Sequence, residues 1–429
     1  MVITKNPRQY YGSFRDSLKS PIHRWFAYPA GYSHKLVENK IRRNYLNAES
    51  LIADPFVGTG TTSLTARMMG IPSLGIEAHL FVHWVAKVKL FLNYDLNIIR
   101  EKMSDVLNTA KILQREIDIQ NLWPELIYKC FTEDNLQKLG SIRSILLKQD
   151  QESPEVNLLK LALTATLRVV TTAGAGWPYI APSKYQARIV NRDAFHEFEK
   201  ICLSMIADVH SVMLENPCLA PYMIEKGDAR HFEAYTKPES VDLIITSPPY
   251  MNNYDYADRT RLETYFWGIF NNWGDITKQV RDLLIMSATT QVRVKKLEDI
   301  RKCPEIASVD PILHSELQDI IHKLADMRLV KLGKKNYDSV AAGYFEDILK
   351  VIKGAFTVLK RGGQFVLVLG DSAPYGIHIP TDEFIGRLGI SIGFSGYNLE
   401  VIRTRGEKWA HNSQRHSVPL RESIVTLLK

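Results

Sequence analysis

The sequence predicts an α/β fold built on a doubly wound sheet, with a large helical insertion. Short apolar runs that suit buried strands, Leu51–Phe56 and Val241–Ile245, each lead into a turn rich in Gly or Pro. An amphipathic helix is predicted over Val340–Leu359, and a further strand follows it at Gln364–Leu369. Between about residues 80 and 225 the apolar spacing is mostly helical. Strands that alternate with helices are typical of a sheet of this type.

The remaining elements are predicted from local patterns. Helices are predicted over Ser33–Leu46, where Ser33 is the cap, and over Thr61–Met69. Further strands are predicted at Pro72–Ile76, Leu399–Thr404 and Glu422–Leu428.

Two segments are predicted to be irregular. Thr171–Tyr185 contains Gly and Pro residues that are incompatible with a continuous helix. Trp267–Asn336 is charged and has no clear period.

Composition excludes several classes of protein. The 429 residues are 45% hydrophobic and 24% charged, which is ordinary for a globular chain and excludes collagen-like, disordered and multi-span membrane proteins. The net charge of +7 is compatible with a polyanionic partner but does not require one. Four cysteines without a C-x-x-C pair make a zinc site improbable. We expect a cytoplasmic protein with no metal, since neither a signal peptide nor a membrane span is predicted.

A glycine-rich turn, ADPFVGTGTT over residues 53–62, joins the first predicted strand to the following helix. Gly58 and Gly60 allow the backbone to approach a ligand, and the helix start offers unpaired N–H groups. The turn lacks the Lys of a P-loop and does not match G-x-G-x-x-G. Glu77 ends the second predicted strand, where an acidic residue commonly binds a ribose diol. Taken alone, a plain packing turn explains this pattern equally well.

A proline-rich turn, TSPPY over residues 246–250, follows the strand Val241–Ile245. Two prolines fix the backbone and remove two N–H donors, so carbonyl acceptors lie beside an aromatic ring. This arrangement suits the binding of a planar amino group. The alternative is a stiff turn at the end of a strand.

Together, DPFVGTGTT and TSPPY resemble the amino-group DNA methyltransferases, which use S-adenosylmethionine to modify N4 of cytosine or N6 of adenine. RWFAYPA over residues 24–30 resembles the family's amino-terminal cofactor motif. GDAR over 227–230 resembles the loop whose acidic residue, here Asp228, binds the adenine amino group of the cofactor. Residues 365–371 resemble the strand end that follows the catalytic loop. The resemblance covers about residues 20–80, 225–270 and 340–429. The cofactor motif precedes the catalytic loop here, whereas many enzymes with this loop have the reverse order. The spacing from Glu77 to Asp228 is also longer than the family often has.

The resemblance implies a seven-stranded Rossmann-like methyltransferase sheet that binds S-adenosyl-L-methionine. The residues assigned to the cofactor are Tyr28, Pro29, Asp54, Phe56, Gly58, Thr59, Gly60, Thr61, Thr62, Glu77 and Asp228.

The catalytic residues implied by the resemblance are Ser247, Pro248, Pro249 and Tyr250. In this interpretation the Ser247 hydroxyl and the Pro248 carbonyl accept the protons of the target amine. Tyr250 stacks on a flipped base. The methyl group then transfers directly, by positioning and electrostatics, without a cysteine nucleophile.

The candidate substrate-binding residues come from three places: a polar and aromatic run after the catalytic loop, a basic segment, and a basic cluster near the carboxyl end. They are Asn252, Tyr254, Tyr256, Arg259, Lys295, Lys296, Arg301, Lys302, Arg403, Arg405 and Trp409. The alternative for the run after the catalytic loop is a helix start with solvated side chains. The alternative for the cluster near the carboxyl end is an ordinary charged loop.

Five segments are predicted from the pattern and the resemblance. They are a cofactor-binding half (1–80), a helical insertion or accessory domain (81–225), the catalytic-loop part (226–270), a candidate target-recognition segment (271–336), and the rest of the methyltransferase sheet (337–429). The insertion is the alternative place for target recognition.

The resemblance implies a prokaryotic, site-specific DNA methyltransferase, with N4 of cytosine favoured because Ser precedes Pro-Pro-Tyr. Its partners would be double-stranded DNA, with base flipping, and a cognate restriction endonuclease in a restriction–modification or genome-defence setting. Three alternatives stay open: an N6-adenine DNA methyltransferase, a tRNA guanine amino-group methyltransferase, and a non-catalytic nucleic-acid-binding protein.

Overall fold

A computed structural model of the protein describes residues 11–28, 31–174, 179–185, 192–216, 218–292, 300–331, 335–405 and 420–429. For residues 183–185 and 405 it describes the backbone alone. Within these ranges, no helix is long and apolar enough to cross a membrane.

The centre of the fold is a seven-stranded sheet. Its strands are β1 Ile52–Asp54, β2 Ser73–Glu77, β5 Tyr222–Lys226, β6 Val241–Thr246, β7 Leu359–Gly370, β8 Gly396–Arg405 and β9 Leu420–Leu428. Their order across the sheet is β5-β2-β1-β6-β7-β9-β8. The first five are parallel, and β9 runs antiparallel to both of its neighbours. The predicted doubly wound, seven-stranded sheet is confirmed.

The order of the strands reverses between β1 and β6, which are neighbours in the sheet although their first residues, Ile52 and Val241, are 189 residues apart in the chain. At such a reversal, the loops after the two strands run in opposite directions. A crevice therefore forms beyond the carboxyl ends of the strands. The glycine-rich turn follows β1, and the TSPPY turn follows β6. The topology therefore brings the two sequence motifs together.

Helices cover both faces of the sheet. They are α1 His34–Arg43, α2 Thr61–Met68, α3 Leu80–Leu90, α4 Leu96–Leu113, α5 Glu125–Tyr128, α6 Glu133–Lys148, α7 Pro154–Val170, α8 Ala194–Glu215, α9 Arg261–Trp267, α10 Trp273–Ile276, α11 Pro304–Val309, α12 Pro311–Val330, α13 Tyr337–Val358 and α14 Thr381–Ile392. Strand β6 shows why both faces are apolar. Ile244 packs in the core that contains α13, whereas Leu243 and Ile245 pack in the core that contains α1.

The helices α3 to α8 share one apolar core with α9, which follows the catalytic-loop region. Two indole groups link these parts by hydrogen bonds to buried partners. Trp123 Nε1 donates to the Phe266 carbonyl at 2.8 Å, and Trp267 Nε1 donates to Thr164 Oγ1 at 2.8 Å. The helical part therefore supports the segment that carries the TSPPY turn.

The prediction that Trp267–Asn336 is irregular was wrong, because the twenty-residue helix α12 lies within it. The side chains of Leu313, Leu317, Ile321 and Leu324 recur on one face of this helix and are buried against its neighbours. The many charged residues on the opposite face hid this period. In Thr171–Tyr185 the described backbone forms a short antiparallel pair, β3 Ala173–Gly174 with β4 Ala181–Tyr185.

A buried ion pair joins α7 to α9. Arg168 donates to both oxygens of Glu263, at 2.7 and 3.0 Å, and the Glu263 side chain has no solvent exposure. Burial acts to raise the pKa of the Glu263 carboxyl, but the guanidinium groups of Arg168 and Arg259 outweigh burial and lower it.

We expect Arg168→Met to destabilise the protein by about 3–5 kcal/mol, because it leaves a buried carboxylate without its main partner. The double variant Arg168→Met/Glu263→Leu removes the uncompensated carboxylate but also the carboxylate partner of Arg259, so it should recover only part of that loss. Urea unfolding followed by fluorescence measures both. A single variant that is no less stable than the double variant would contradict a structural role for the pair.

Candidate active site

A cleft opens at the carboxyl ends of β1, β2 and β6. Its wall includes many of the residues predicted from the sequence, namely Tyr28, Phe56, Gly58, Thr59, Thr61, Glu77, Asp228, Ser247, Pro249 and Tyr256. Leu283, Leu284 and Ile285 also line it, although no motif in the sequence predicted this. A largely apolar cleft with a few polar groups is the usual form of a small-molecule site.

Glu77 is the carboxylate in the wall of the cleft. Its Oε2 accepts a hydrogen bond from the Gly58 N–H at 3.0 Å, and its Oε1 accepts from the His79 N–H at 2.8 Å. Burial raises the pKa of Glu77 from 4.5 to about 7. Each oxygen keeps a lone pair for a further donor. The side chain thus fixes the glycine turn and can still accept hydrogen bonds from a diol.

Asp54 lies behind the cleft and joins its two loops. Its Oδ1 accepts from the Phe56 N–H at 3.0 Å and from Thr246 Oγ1 at 2.6 Å, and its Oδ2 accepts from the Tyr32 hydroxyl at 3.1 Å. Burial raises the pKa of Asp54 to about 6, and these hydrogen bonds oppose the rise. Thr62 adds a second link, because its hydroxyl donates to the Ile245 carbonyl at 3.2 Å.

Gly60 caps helix α2 with a φ of +90°, a left-handed conformation that favours glycine. A Cβ atom there would meet a Leu90 methyl group at 2.8 Å. The backbone can therefore turn directly from β1 into α2, and Thr61, the first residue of the helix, lines the cleft.

The catalytic loop predicted from TSPPY is held at both ends of Tyr250. The Tyr250 N–H donates to the Tyr256 hydroxyl at 3.0 Å, and the Tyr250 hydroxyl donates to Glu422 Oε1 at 3.1 Å. Glu422 is buried on β9 and also accepts a hydrogen bond from Arg403 Nε. Ser247 and Pro249 line the cleft, whereas Pro248 is buried.

Comparison with known proteins finds similarity to DNA methyltransferases. Residues 4–88 match the family model N6_N4_Mtase, described as DNA methylase. The Type II methyltransferase M.BsoBI of Geobacillus stearothermophilus is 23% identical over 96% of this chain and 86% of its own length. The Type II methyltransferase M.AvaI of a Nostoc species is 26% identical over 91% of this chain and 83% of its own. The chain is similar to the amino-group DNA methyltransferases.

Two further similarities are more limited, one in the share of the chain that it covers and one in structural agreement. The Type II methyltransferase M.MjaII of Methanocaldococcus jannaschii is 33% identical over 22% of this chain and 18% of its own. The rRNA methyltransferase aviRa of Streptomyces viridochromogenes aligns with 61% of this chain and 73% of its own at 9% identity, with a TM-score of 0.22. That score is too low to bear on fold or function.

In the present protein, Asp228 has a partner that was not predicted from the sequence. Arg230 donates to both of its carboxylate oxygens, at distances between 2.6 and 3.0 Å, and Arg230 also pairs with Asp347 at 3.3 Å. Asp228 lines the cleft, but binding of adenine by this carboxylate stays a prediction.

Among the residues assigned to the target, the structure places Tyr254 and Arg259 in the interior. The Tyr254 ring stacks on Tyr179 with centroids 5.8 Å apart, and Arg259 donates to the Ala27 carbonyl at 3.0 Å. Both side chains therefore hold the loop against neighbouring segments. Asn252 accepts from the Tyr254 N–H at 3.2 Å, which makes it part of the same support.

The basic residues assigned to DNA differ in their surroundings. Arg301 pairs with Asp338 at 2.7 Å, Arg403 pairs with Glu422, and Lys302 is exposed. The side chains of Arg301 and Arg403 thus have internal partners, and contact with DNA stays a prediction for all three.

Other predicted site residues lie outside the described part of the chain. They are Pro29, Lys295, Lys296 and Trp409, together with the side chain of Arg405. Among the residues that are described, no cluster of three or more metal-ligating side chains is found.

We expect Tyr250→Phe to lower the stability of the protein by about 1.5 kcal/mol, because it removes a hydrogen bond to a buried charged acceptor. Tyr45→Phe is the matched control, since Tyr45 is 91% exposed and should tolerate the change. Urea unfolding compares the two variants with the wild type. Equal stability of all three would show that the Tyr250–Glu422 contact contributes nothing.

Proposed function

We propose that the protein is a site-specific DNA methyltransferase that transfers a methyl group from S-adenosylmethionine to an exocyclic amino group, with N4 of cytosine favoured. The observation that carries this proposal is the meeting of Glu77 and Ser247 in one cleft, each at the end of a parallel strand. The Type II methyltransferases that align with more than nine-tenths of the chain support DNA as the substrate and a restriction–modification setting.

The residues of the cleft fit the cofactor. A buried carboxylate with unused lone pairs suits a ribose diol, and the glycine turn leaves the backbone near Gly58 accessible. Among the described residues, a Cβ atom at Gly58 would have only the Phe56 carbonyl oxygen within 4 Å, at 3.9 Å, so the space beside this turn is open. S-adenosylmethionine, when bound, supplies an electrophilic methyl group on its sulfonium.

The chain itself prepares the target amine. The lone pair of an exocyclic amine is delocalised into the base, so the nitrogen is a poor nucleophile. Acceptors at Ser247 and at the Pro248 carbonyl bind its two N–H groups and return electron density to nitrogen. Tyr250, held by Glu422, presents its ring to the base. Catalysis then depends on the orientation of the amine and the methyl group within the cleft.

Carbon methylation is disfavoured, because it would need a cysteine nucleophile and none of the described residues lining the cleft is a cysteine. Cys130, Cys202 and Cys303 are buried, and burial raises the pKa of each thiol.

An adenine target and a tRNA guanine target use the same loop chemistry, so they are the alternatives that the product must distinguish.

The affinity for S-adenosylmethionine should rise with pH up to about 7 and then level off. Without ligand, burial holds Glu77 partly protonated, because its pKa is raised to about 7. A diol donates hydrogen bonds and favours the ionised form, so binding releases a proton below that pH.

Calorimetry between about pH 5.5 and 8 measures this dependence. The difference between the wild type and Glu77→Gln removes the ionisations of the ligand itself. A pH dependence that is the same in both proteins would exclude Glu77 as the group responsible.

Ser247→Ala should lose most methyl transfer while it keeps its affinity for S-adenosylmethionine, because Ser247 contacts the target and not the cofactor. Tritium transfer to DNA and to tRNA, followed by digestion to nucleosides and mass spectrometry, measures activity and product together. N4-methylcytosine is the expected product. N6-methyladenine alone would overturn the cytosine assignment, and methylated guanosine in tRNA alone would overturn DNA as the substrate.

A further inference from the structure

A basic and aromatic patch lies where α12 ends and α13 begins. We call Lys331, Lys335, Tyr337 and Tyr375 the basic–aromatic patch. The rings of Tyr337 and Tyr375 meet edge to face with centroids 5.0 Å apart. Lys331 Nζ lies 6.0 Å from the Tyr375 ring centre, and Lys335 Nζ lies 5.9 Å from that of Tyr337. The Tyr375 hydroxyl donates to the Lys335 carbonyl at 3.1 Å, which joins the two halves of the patch.

The topology places this patch at the same edge of the sheet as the cleft. Helix α13 leads into β7, which is parallel to β6, so α13 runs antiparallel to both strands. Its first residue, Tyr337, therefore lies at the edge where β6 ends in the catalytic loop. Tyr375 follows the carboxyl end of β7, at the same edge.

The loop that carries Tyr375 is attached to the catalytic loop. Ser372 Oγ donates a hydrogen bond to the carbonyl of Met251, the residue after Tyr250, and Ser372 also forms a β-bridge with Ile379. Tyr375 has a φ of +55°, which is uncommon for a bulky residue. Strained backbone of this kind is retained most often at functional sites.

The two lysines of the patch are exposed, and within the described residues no acidic side chain pairs with either of them. The arginines nearby differ, because Arg301 and Arg328 both pair with Asp338, which is buried. The positive charge of the lysines therefore faces solvent. Leu329 and Val330, which are 70% and 74% exposed, add apolar surface beside it.

We propose that the basic–aromatic patch binds the backbone of duplex DNA beside the target base. The two lysines neutralise phosphates, and the Tyr375 ring packs against a nucleotide. Phosphate contacts of this type set the position of a protein on DNA, while other contacts specify the sequence. The proposal rests on the proposed function and assigns the positioning surface within the segment 271–336 and its neighbours.

The test compares two double variants with the same change of charge. Lys331→Ala/Lys335→Ala removes the patch lysines. Lys237→Ala/Arg361→Ala removes two exposed cations next to the starts of β6 and β7, at the opposite edge of the sheet. The probe is a short fluorescein-labelled duplex of mixed sequence, and its affinity is measured by anisotropy over a series of NaCl concentrations.

In the patch variant, the slope of log affinity against log salt concentration should become less steep by about 0.9 per lost phosphate contact, thus by about 1.8 in all. The control variant should keep the wild-type slope. Tyr375→Leu should weaken binding severalfold at an unchanged slope, because it removes the contact of the ring with a nucleotide and removes no charge. Equal slopes for the two double variants would overturn the proposal.

A separate measurement distinguishes this proposal from the proposed function. If the wild type methylates DNA and the patch variant keeps its salt slope, the patch is wrong and the proposed function stands. If the wild type neither binds the duplex nor methylates DNA, both are wrong. S-adenosylmethionine affinity should be the same in all variants, which confirms that each is folded.

Discussion

The burial of Asp54 between two strands is the constraint on which the rest of the site depends. Its carboxylate accepts hydrogen bonds from the loop after β1, from Thr246 at the end of β6, and from Tyr32. The two loops diverge at the point where the strand order reverses, and the Asp54 carboxylate accepts hydrogen bonds from both sides. Burial raises the pKa of Asp54 to about 6 in spite of these donors. Desolvation of this carboxylate is thus not fully offset by hydrogen bonds, and the fold accepts that cost where the two motifs meet.

The site also depends on contacts from outside the sheet. Arg259 links the segment after the catalytic loop to the Ala27 carbonyl beside Tyr28, which lines the cleft. Arg168 links the same segment to helix α7 through Glu263. Buried charge pairs are weak contributors to stability compared with apolar packing, but the loss of one partner is costly. These pairs therefore favour one arrangement of the helical part, the amino-terminal segment and the catalytic loop.

The sequence was most informative where structure is local. The strand before TSPPY, the turn at Gly58 and Gly60, and the position of Glu77 all follow from short-range patterns, and the structure places these motifs at one cleft. The partners of those residues could not be predicted. Tyr250 and Glu422 are separated by 172 residues, and their contact exists only because β9 lies two strands from β6. Helix α12 was missed because its charged face hid a four-residue apolar stripe. The roles of the individual site residues stay predictions.

Arginine and lysine have different surroundings in this structure, which explains why candidate DNA-binding residues were hard to predict from the sequence. In the described part of the chain, three arginines that were candidates for contact with DNA have carboxylates as partners: Arg301 with Asp338, Arg403 with Glu422, and Arg259 with Glu263. The planar guanidinium group forms several directed hydrogen bonds, so it suits fixed internal links between elements. Lysine carries a compact charge on a flexible chain and is more easily kept at the surface. A count of basic residues mixes these two uses. Only the fold separates the cations that brace the catalytic loop from those, such as Lys331, that remain available to a polyanion.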